Sequence, residues 1–143
     1  MAFNVLIVDD SAVMRTMIAR VVRLSGVPLG ELLEAPNGAE GLRVVAEHWV
    51  DLVLLDVNMP VMDGETMLRR LRAEPETVSL PVIVVSTESS ATRVQTLEAL
   101  GVAFVHKPFA PEDLRATILR ITNVTPDDEH HAILSVGGGG DDF

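Results

Sequence analysis

Five short apolar runs punctuate the chain, each followed by a segment whose apolar residues recur every three or four positions. The runs are Phe3-Asn4-Val5-Leu6-Ile7-Val8, a weaker Leu32-Leu33-Glu34-Ala35, Val50 to Asp56, Leu80-Pro81-Val82-Ile83-Val84-Val85, and Val102 to His106. Unbroken apolar runs of this length are what strands covered on both faces of a parallel sheet look like. The segments between them predict helices. Ser11 suits an N-cap, with Val13, Met14, Met17, Ile18, Val21 and Val22 at helical spacing and a stop near Ser25-Gly26, where glycine offers a left-handed residue. Pro36-Asn37-Gly38 turns the second strand into a helix from about Ala39 to His48. A third helix runs from Glu65 to about Ala73, with Met67, Leu68 and Leu71 inward and Arg69, Arg70 and Arg72 largely outward. A fourth, capped by Thr87 and stopped by Gly101, carries Val94, Leu97 and Leu100. Pro111 fits the first turn of a last helix that buries Leu114, Ile118, Leu119 and Ile121.

Strands and helices alternating at this rhythm predict an α/β fold, a (βα)5 doubly wound, five-stranded parallel sheet with helices on both faces. Right-handed crossovers bring every strand's carboxyl end to one edge, the edge where ligands collect in such sheets. That edge gathers Asp9, Asp10, Asp56, Ser86 and Lys107 from four strands.

Composition narrows the chemistry. The 143 residues suit one domain. They are 48% apolar with four Phe, one Trp and no Tyr, which predicts an aliphatic core. Cysteine is absent, which excludes disulfides, thiolate metal sites and a thiol nucleophile. The first residues lack the pattern of a signal peptide, and no run approaches the roughly 18 apolar residues of a membrane span. A cytoplasmic protein with no membrane partner is expected. The net charge of −10 argues against DNA or RNA as a partner. Half of it comes from Asp127, Asp128, Glu129, Asp141 and Asp142, which divides the chain into a domain over 1–124 and an acidic, Gly-rich tail over 125–143, expected to be disordered. Within the tail, Ile133-Leu134-Ser135-Val136 is either part of a solubilising extension or a short docking strand. His130-His131 lacks further ligands at metal spacing, His106 reads as a strand-surface residue, His48 as a helix end, and Trp49 as packing at the start of the third strand. Neither G-x-x-x-x-G-K-[ST] nor G-x-G-x-x-G occurs.

Three carboxylates converging on one edge repel one another, by roughly 4 kcal/mol for each pair about 4 Å apart at an effective dielectric near 20. A hard divalent cation offsets that repulsion, and Mg2+ takes a few carboxylates, keeps several waters and binds phosphate oxygens. Lys107 supplies a point charge for a phosphoryl oxygen and Ser86 a hydroxyl donor. Carboxylate nucleophile, metal, lysine and hydroxyl together form a phosphoryl-transfer set, with an aspartyl phosphate on Asp56 as product.

Val8-Asp9-Asp10-Ser11, Leu55-Asp56-Val57-Asn58-Met59-Pro60 with Met62-Asp63-Gly64, Val85-Ser86 and Lys107-Pro108-Phe109 resemble the receiver domain of bacterial two-component response regulators, over about residues 3–122. The resemblance implies a flavodoxin- and CheY-like fold and a role for each matching residue. Asp56 would be the phosphoacceptor. Asp9, Asp10, Asp56 and the backbone carbonyl of Asn58 would hold Mg2+. Lys107 would pair with the phosphoryl group, with the Lys107–Pro108 bond cis. Ser86 would swing toward the phosphoryl oxygen and Phe104 would turn inward behind it. Asn58 and Glu88 stand where the family tunes phosphoryl lifetime. The family often has Thr at the Ser86 position and Tyr at the Phe104 position; Ser keeps the hydroxyl, whereas Phe lacks the O–H that a partner could use.

The resemblance further implies a stand-alone, CheY-like switch, monomeric, fed by a sensor histidine kinase and read through the face from about Ser90 to Leu119. Its own catalysis would be limited to self-phosphotransfer and autodephosphorylation, so it is not expected to be an enzyme otherwise. The output partner would be a flagellar motor switch, a kinase or a phosphatase, and Asp-Asp-Ser-Ala-Val-Met-Arg has a chemotaxis flavour. A phosphate sink or a phosphorylation-independent adaptor are alternatives. A haloacid-dehalogenase-type phosphatase is disfavoured, because it needs a second Asp where Asn58 stands, and a cap domain.

Overall fold

The structure is a computed structural model that describes residues 2–125. Its elements are β1 (Phe3–Val8), α1 (Ala12–Leu24), β2 (Leu29–Ala35), α2 (Gly38–Glu47), β3 (Leu52–Leu55), α3 (Gly64–Ala73), β4 (Val82–Ser86), α4 (Ala91–Glu98), β5 (Ala103–His106) and α5 (Pro111–Thr122). The strands form one parallel sheet in the order β2-β1-β3-β4-β5. This is the doubly wound α/β fold expected from the alternation of apolar runs and helical periods. All of the tail after Thr125, with its apolar segment, lies outside the described residues, as do His130 and His131.

Each central strand is buried on both faces, and residue parity assigns its side chains to one of two cores. Val5, Ile7, Leu52, Leu54, Ile83 and Val85 pack with Ile18, Ala19 and Val22 of α1 and Leu114, Ile118 and Leu119 of α5. Leu6, Val8, Val53, Leu55, Val82 and Val84 pack with Met67, Leu68 and Leu71 of α3 and Leu97 of α4. At roughly 1.5–3 kcal/mol for each fully buried large side chain, these two layers supply the main stabilising term.

Several local expectations need correction. β2 begins earlier, at Leu29, because its first residues pair with β1 through Phe3↔Leu29. β3 is shorter at both ends, and Asp56 lies immediately beyond its last residue. Thr87 does not cap α4; Ser90 does, its hydroxyl accepting from Arg93 N–H, because β4 runs on through Ser86 and the helix starts at Ala91. Val13 and Met17 are exposed rather than inward, since α1 turns Ile18, Ala19 and Val22 to the sheet. Trp49 is also exposed, its indole N–H donating to Asp51 Oδ1 at 3.0 Å. Arg69 and Arg70 do face outward. Arg72 instead reaches from α3 to the carbonyls of Leu100 at 2.8 Å and Leu80 at 2.8 Å, tying the end of α4 to the start of β4.

Candidate functional site

Strand register explains why the acids meet. Val8 pairs with Leu55, and each is the last residue of its strand, so Asp9 and Asp56 leave the sheet at the same level. Asp56 N–H still donates to Val8 carbonyl at 2.9 Å, which sets Asp9 and Asp56 side by side. On the other flank Ser86 pairs with His106, and Lys107 N–H donates to Ser86 carbonyl at 2.9 Å, placing Lys107 at the same edge.

Asp9, Asp10 and Asp56 each present a carboxylate oxygen within 4.8 Å of the others. Asp9 and Asp56 are buried and Asp10 is exposed, so the cluster opens to solvent on one side. Asp9 is held at both oxygens: Oδ1 accepts from Ser11 N–H at 2.9 Å and Oδ2 from Lys107 Nζ at 2.7 Å. Lys107 Nζ also lies 3.5 Å from Asp56 Oδ2. Burial pushes the Asp56 carboxyl above its ordinary value; Lys107 opposes this, Asp9 adds to it, and the Asn58 N–H and Ser86 hydroxyl lower it. Upward wins because burial disfavours the charged carboxylate and the neighbouring acid repels its charge. The buried Ser86 hydroxyl accepts from Glu88 N–H at 3.2 Å. The Lys107–Pro108 peptide is cis. Phe104 is half-buried, its ring centroid 4.6 Å from that of the exposed His106.

All oxygen donors of the cluster are hard, and three carboxylates against one lysine leave an excess of negative charge, which fits a small divalent cation. The structure also gives supporting parts to residues that sequence reasoning left without a role. Arg15 reaches from α1 to the Asp9 carbonyl at 2.7 Å and to Glu34 at 2.9 Å, pinning the backbone beneath the acid pair. Gly64 lies so close under Asp56 that a Cβ there would stand 2.1 Å from the Asp56 carbonyl oxygen. The Asp63-Gly64 pair was a legible signal, because a glycine right after a capping acid invites the question of what it packs against. Arg15 left none, since an arginine on a surface helix reads as solvated. Val61 has φ of 70° in a tight turn in which Met62 N–H donates to the Pro60 carbonyl at 2.8 Å. That turn aims the Met62 carbonyl at Gly38 N–H, 2.9 Å away, and so braces the β3–α3 loop on α2.

Comparison with known proteins agrees with this geometry. The family model of the response regulator receiver domain matches residues 5–119. The chain is 33% identical over 136 residues to the phosphate regulon transcriptional regulatory protein of Pseudomonas aeruginosa, covering 94% of this chain and 58% of that one. It is 42% identical over 108 residues to a protein-glutamate methylesterase/protein-glutamine glutaminase of Rhodospirillum rubrum, covering 73% of this chain and 28% of that one. The chain thus spans about half or less of the length of these curated relatives. A chemotaxis response regulator of Vibrio cholerae superposes with a TM-score of 0.75 at 32% identity, over 85% of this chain and 99% of that one. Among the described residues, no helix is long and apolar enough to cross a membrane. Fold, edge chemistry and sequence likeness agree, and the chain belongs to the response regulator receiver family.

Proposed function

We propose that Asp56 is the phosphoacceptor of a CheY-like, chemotaxis-type receiver, phosphorylated by a sensor histidine kinase. The observation that carries this is the buried Asp56 carboxylate standing 3.5 Å from Lys107 Nζ, with Asp9 and Asp10 in ligand reach beside it. Asp9, Asp10 and Asp56, with the Asn58 backbone carbonyl, would hold Mg2+. When bound, that ion neutralises the charge that gathers on the phosphoryl oxygens.

This chain's own groups do the rest. An Asp56 oxygen forms its bond to phosphorus as the donor's N–P bond breaks. The Lys107 ammonium shifts from Asp9 toward a phosphoryl oxygen, and the Ser86 hydroxyl donates to another. Asn58 and Glu88 tune phosphoryl lifetime in this reading. Phe104 and the cis Lys107–Pro108 turn carry the change to the surface of α4, β5 and α5. Likeness to the Vibrio cholerae chemotaxis protein supports a chemotaxis-type output, whether a flagellar motor switch, a kinase or a phosphatase. The functional unit in this reading is residues 1–124, a cytoplasmic monomer whose only catalysis is on its own phosphoryl group.

Intact mass after incubation with Mg2+ and acetyl phosphate tests the assignment. One phosphoryl adduct on the wild type and none on Asp56→Asn is the expected result. An adduct of equal yield on Asp56→Asn moves the acceptor elsewhere.

A further inference from the structure

Arg93, in the first turn of α4, faces carboxylates from two other segments. Its Nε lies 2.9 Å from Glu65 Oε1 in the first turn of α3, and its Nη1 lies 3.7 Å from Glu88 Oε1 in the loop after β4. Its charge also assists the Thr66 N–H, the main cause, in holding the α3 N-cap Asp63 below its ordinary value. Glu88 is fastened in turn to the phosphorylation edge. Its N–H donates to Ser86 Oγ at 3.2 Å, and its Oε2 accepts from Ser90 N–H at 3.2 Å. Glu65 is held from the other side by Arg69, whose Nη2 lies 2.9 Å from Oε2. A line of polar contacts therefore runs from Ser86 through Glu88 and Arg93 to the start of α3.

The central link of that line is charged but poorly directed. Arg93 Nε is buried, and its N–H makes no hydrogen bond despite the nearby Glu65 oxygen. Such a contact holds while the two helices keep their places and is given up after a small displacement.

We propose that Arg93 is a positioning residue, a latch that ties α4 to α3 and holds the Ser86–Glu88 loop in the conformation seen here. The proposal rests on the phosphoacceptor role of Asp56. A Ser86 hydroxyl drawn onto a phosphoryl oxygen takes the Glu88 N–H with it and moves the Glu88 carboxylate relative to Arg93. Contacts made in one arrangement alone bias the equilibrium toward it. By reciprocity, removing them raises affinity for whatever favours the other arrangement.

Fluoroberyllate, a tetrahedral anion that imitates a phosphoryl group, provides the test when titrated with Mg2+ and followed by fluorine NMR. Arg93→Gln and Glu65→Gln should each bind it about fivefold more tightly than wild type. The double variant should gain no more than Arg93→Gln alone, because Arg93→Gln already removes the Arg93–Glu65 contact that Glu65→Gln would break. Charge alone predicts the opposite sign for Arg93→Gln, since losing a cation near the site weakens attraction for an anion. Unchanged or weaker binding by a folded Arg93→Gln, with wild type binding, overturns the latch. If thermal melting shows that Arg93→Gln does not fold, unchanged or weaker binding by Glu65→Gln overturns the latch, because there the latch and the loss of a nearby anion both predict tighter binding. If wild type binds no fluoroberyllate, the phosphoacceptor assignment fails first and takes the latch with it.

Discussion

Lys107 Nζ donates to Asp9 Oδ2 at 2.7 Å, joining residues 98 positions apart in the chain. Their side chains retain only 11% and 2% exposure, so the pair is shielded from screening by water. Lys107 is thus committed to Asp9 more closely than to Asp56, whose nearest oxygen is 3.5 Å away. The ammonium stands within a short swing of the residue it would serve.

Lys107→Ala leaves two buried carboxylates without their cation, and removing one partner of a buried pair costs about 3 kcal/mol. Chemical denaturation without divalent ions should show a loss of that order, largely recovered on adding Mg2+. Mg2+ affinity itself should not fall, because the lysine competes with the metal for Asp9. A stability unchanged in metal-free buffer removes the pair from the energetics of the fold.

The direction of the Asp56 shift has a consequence for pH. Its folded value lies above the ordinary 3.8, mainly through burial, so between those two values the folded protein binds more protons than the unfolded chain. Stability contributed by this group therefore decreases as pH rises through that window and stays reduced above it. Asp56→Asn should melt higher than wild type at neutral pH without metal, and the gap should close as the pH is lowered through the window. A variant that melts lower at neutral pH contradicts the burial argument.

Gly64→Ala forces a methyl group against backbone, 2.1 Å from the Asp56 carbonyl oxygen and 2.7 Å from Val57 Cα. No side chain can yield there, so the loop carrying the acceptor has to move. Overpacking of this kind costs about 3 kcal/mol or more. A variant with native melting temperature and native Mg2+ affinity would show that the loop relaxes freely.

Val61 is β-branched, 84% exposed, and held at a φ of 70°. Left-handed backbone costs an L-residue about 1–2 kcal/mol, and Val61 recovers little of that by burial. Val61→Gly should raise stability by about 1 kcal/mol, read as a higher denaturation midpoint with an unchanged slope. A destabilised variant would mean that the isopropyl group contributes packing that its exposure conceals.

The chain's own order of residues determined the sheet, because a strand covered on both faces requires an unbroken apolar run and nothing else in this sequence makes one. It also determined which polar residues would meet. Once the crossovers share a hand, Asp9, Asp56, Ser86 and Lys107 fall at strand ends and have no other edge to occupy. Local punctuation was legible too: Ser11 caps α1 through Met14 N–H, Pro111 opens α5, and Gly101 follows α4 with a φ of 80°.

Tertiary structure alone decided which helical face is covered and which distant charges pair. The apolar stripe of α1 is wider than the sheet and α5 can cover, so Val13 and Met17 stay in water although their spacing matches that of Ile18 and Val22. Arg72 turned inward because free carbonyls at Leu80 and Leu100 needed a donor, a demand that arises only when α3, β4 and α4 are assembled. Arg93 meets Glu65 for the same reason. Spacing along a chain reports the faces of single elements, whereas a partner 28 residues away is chosen by how those elements pack.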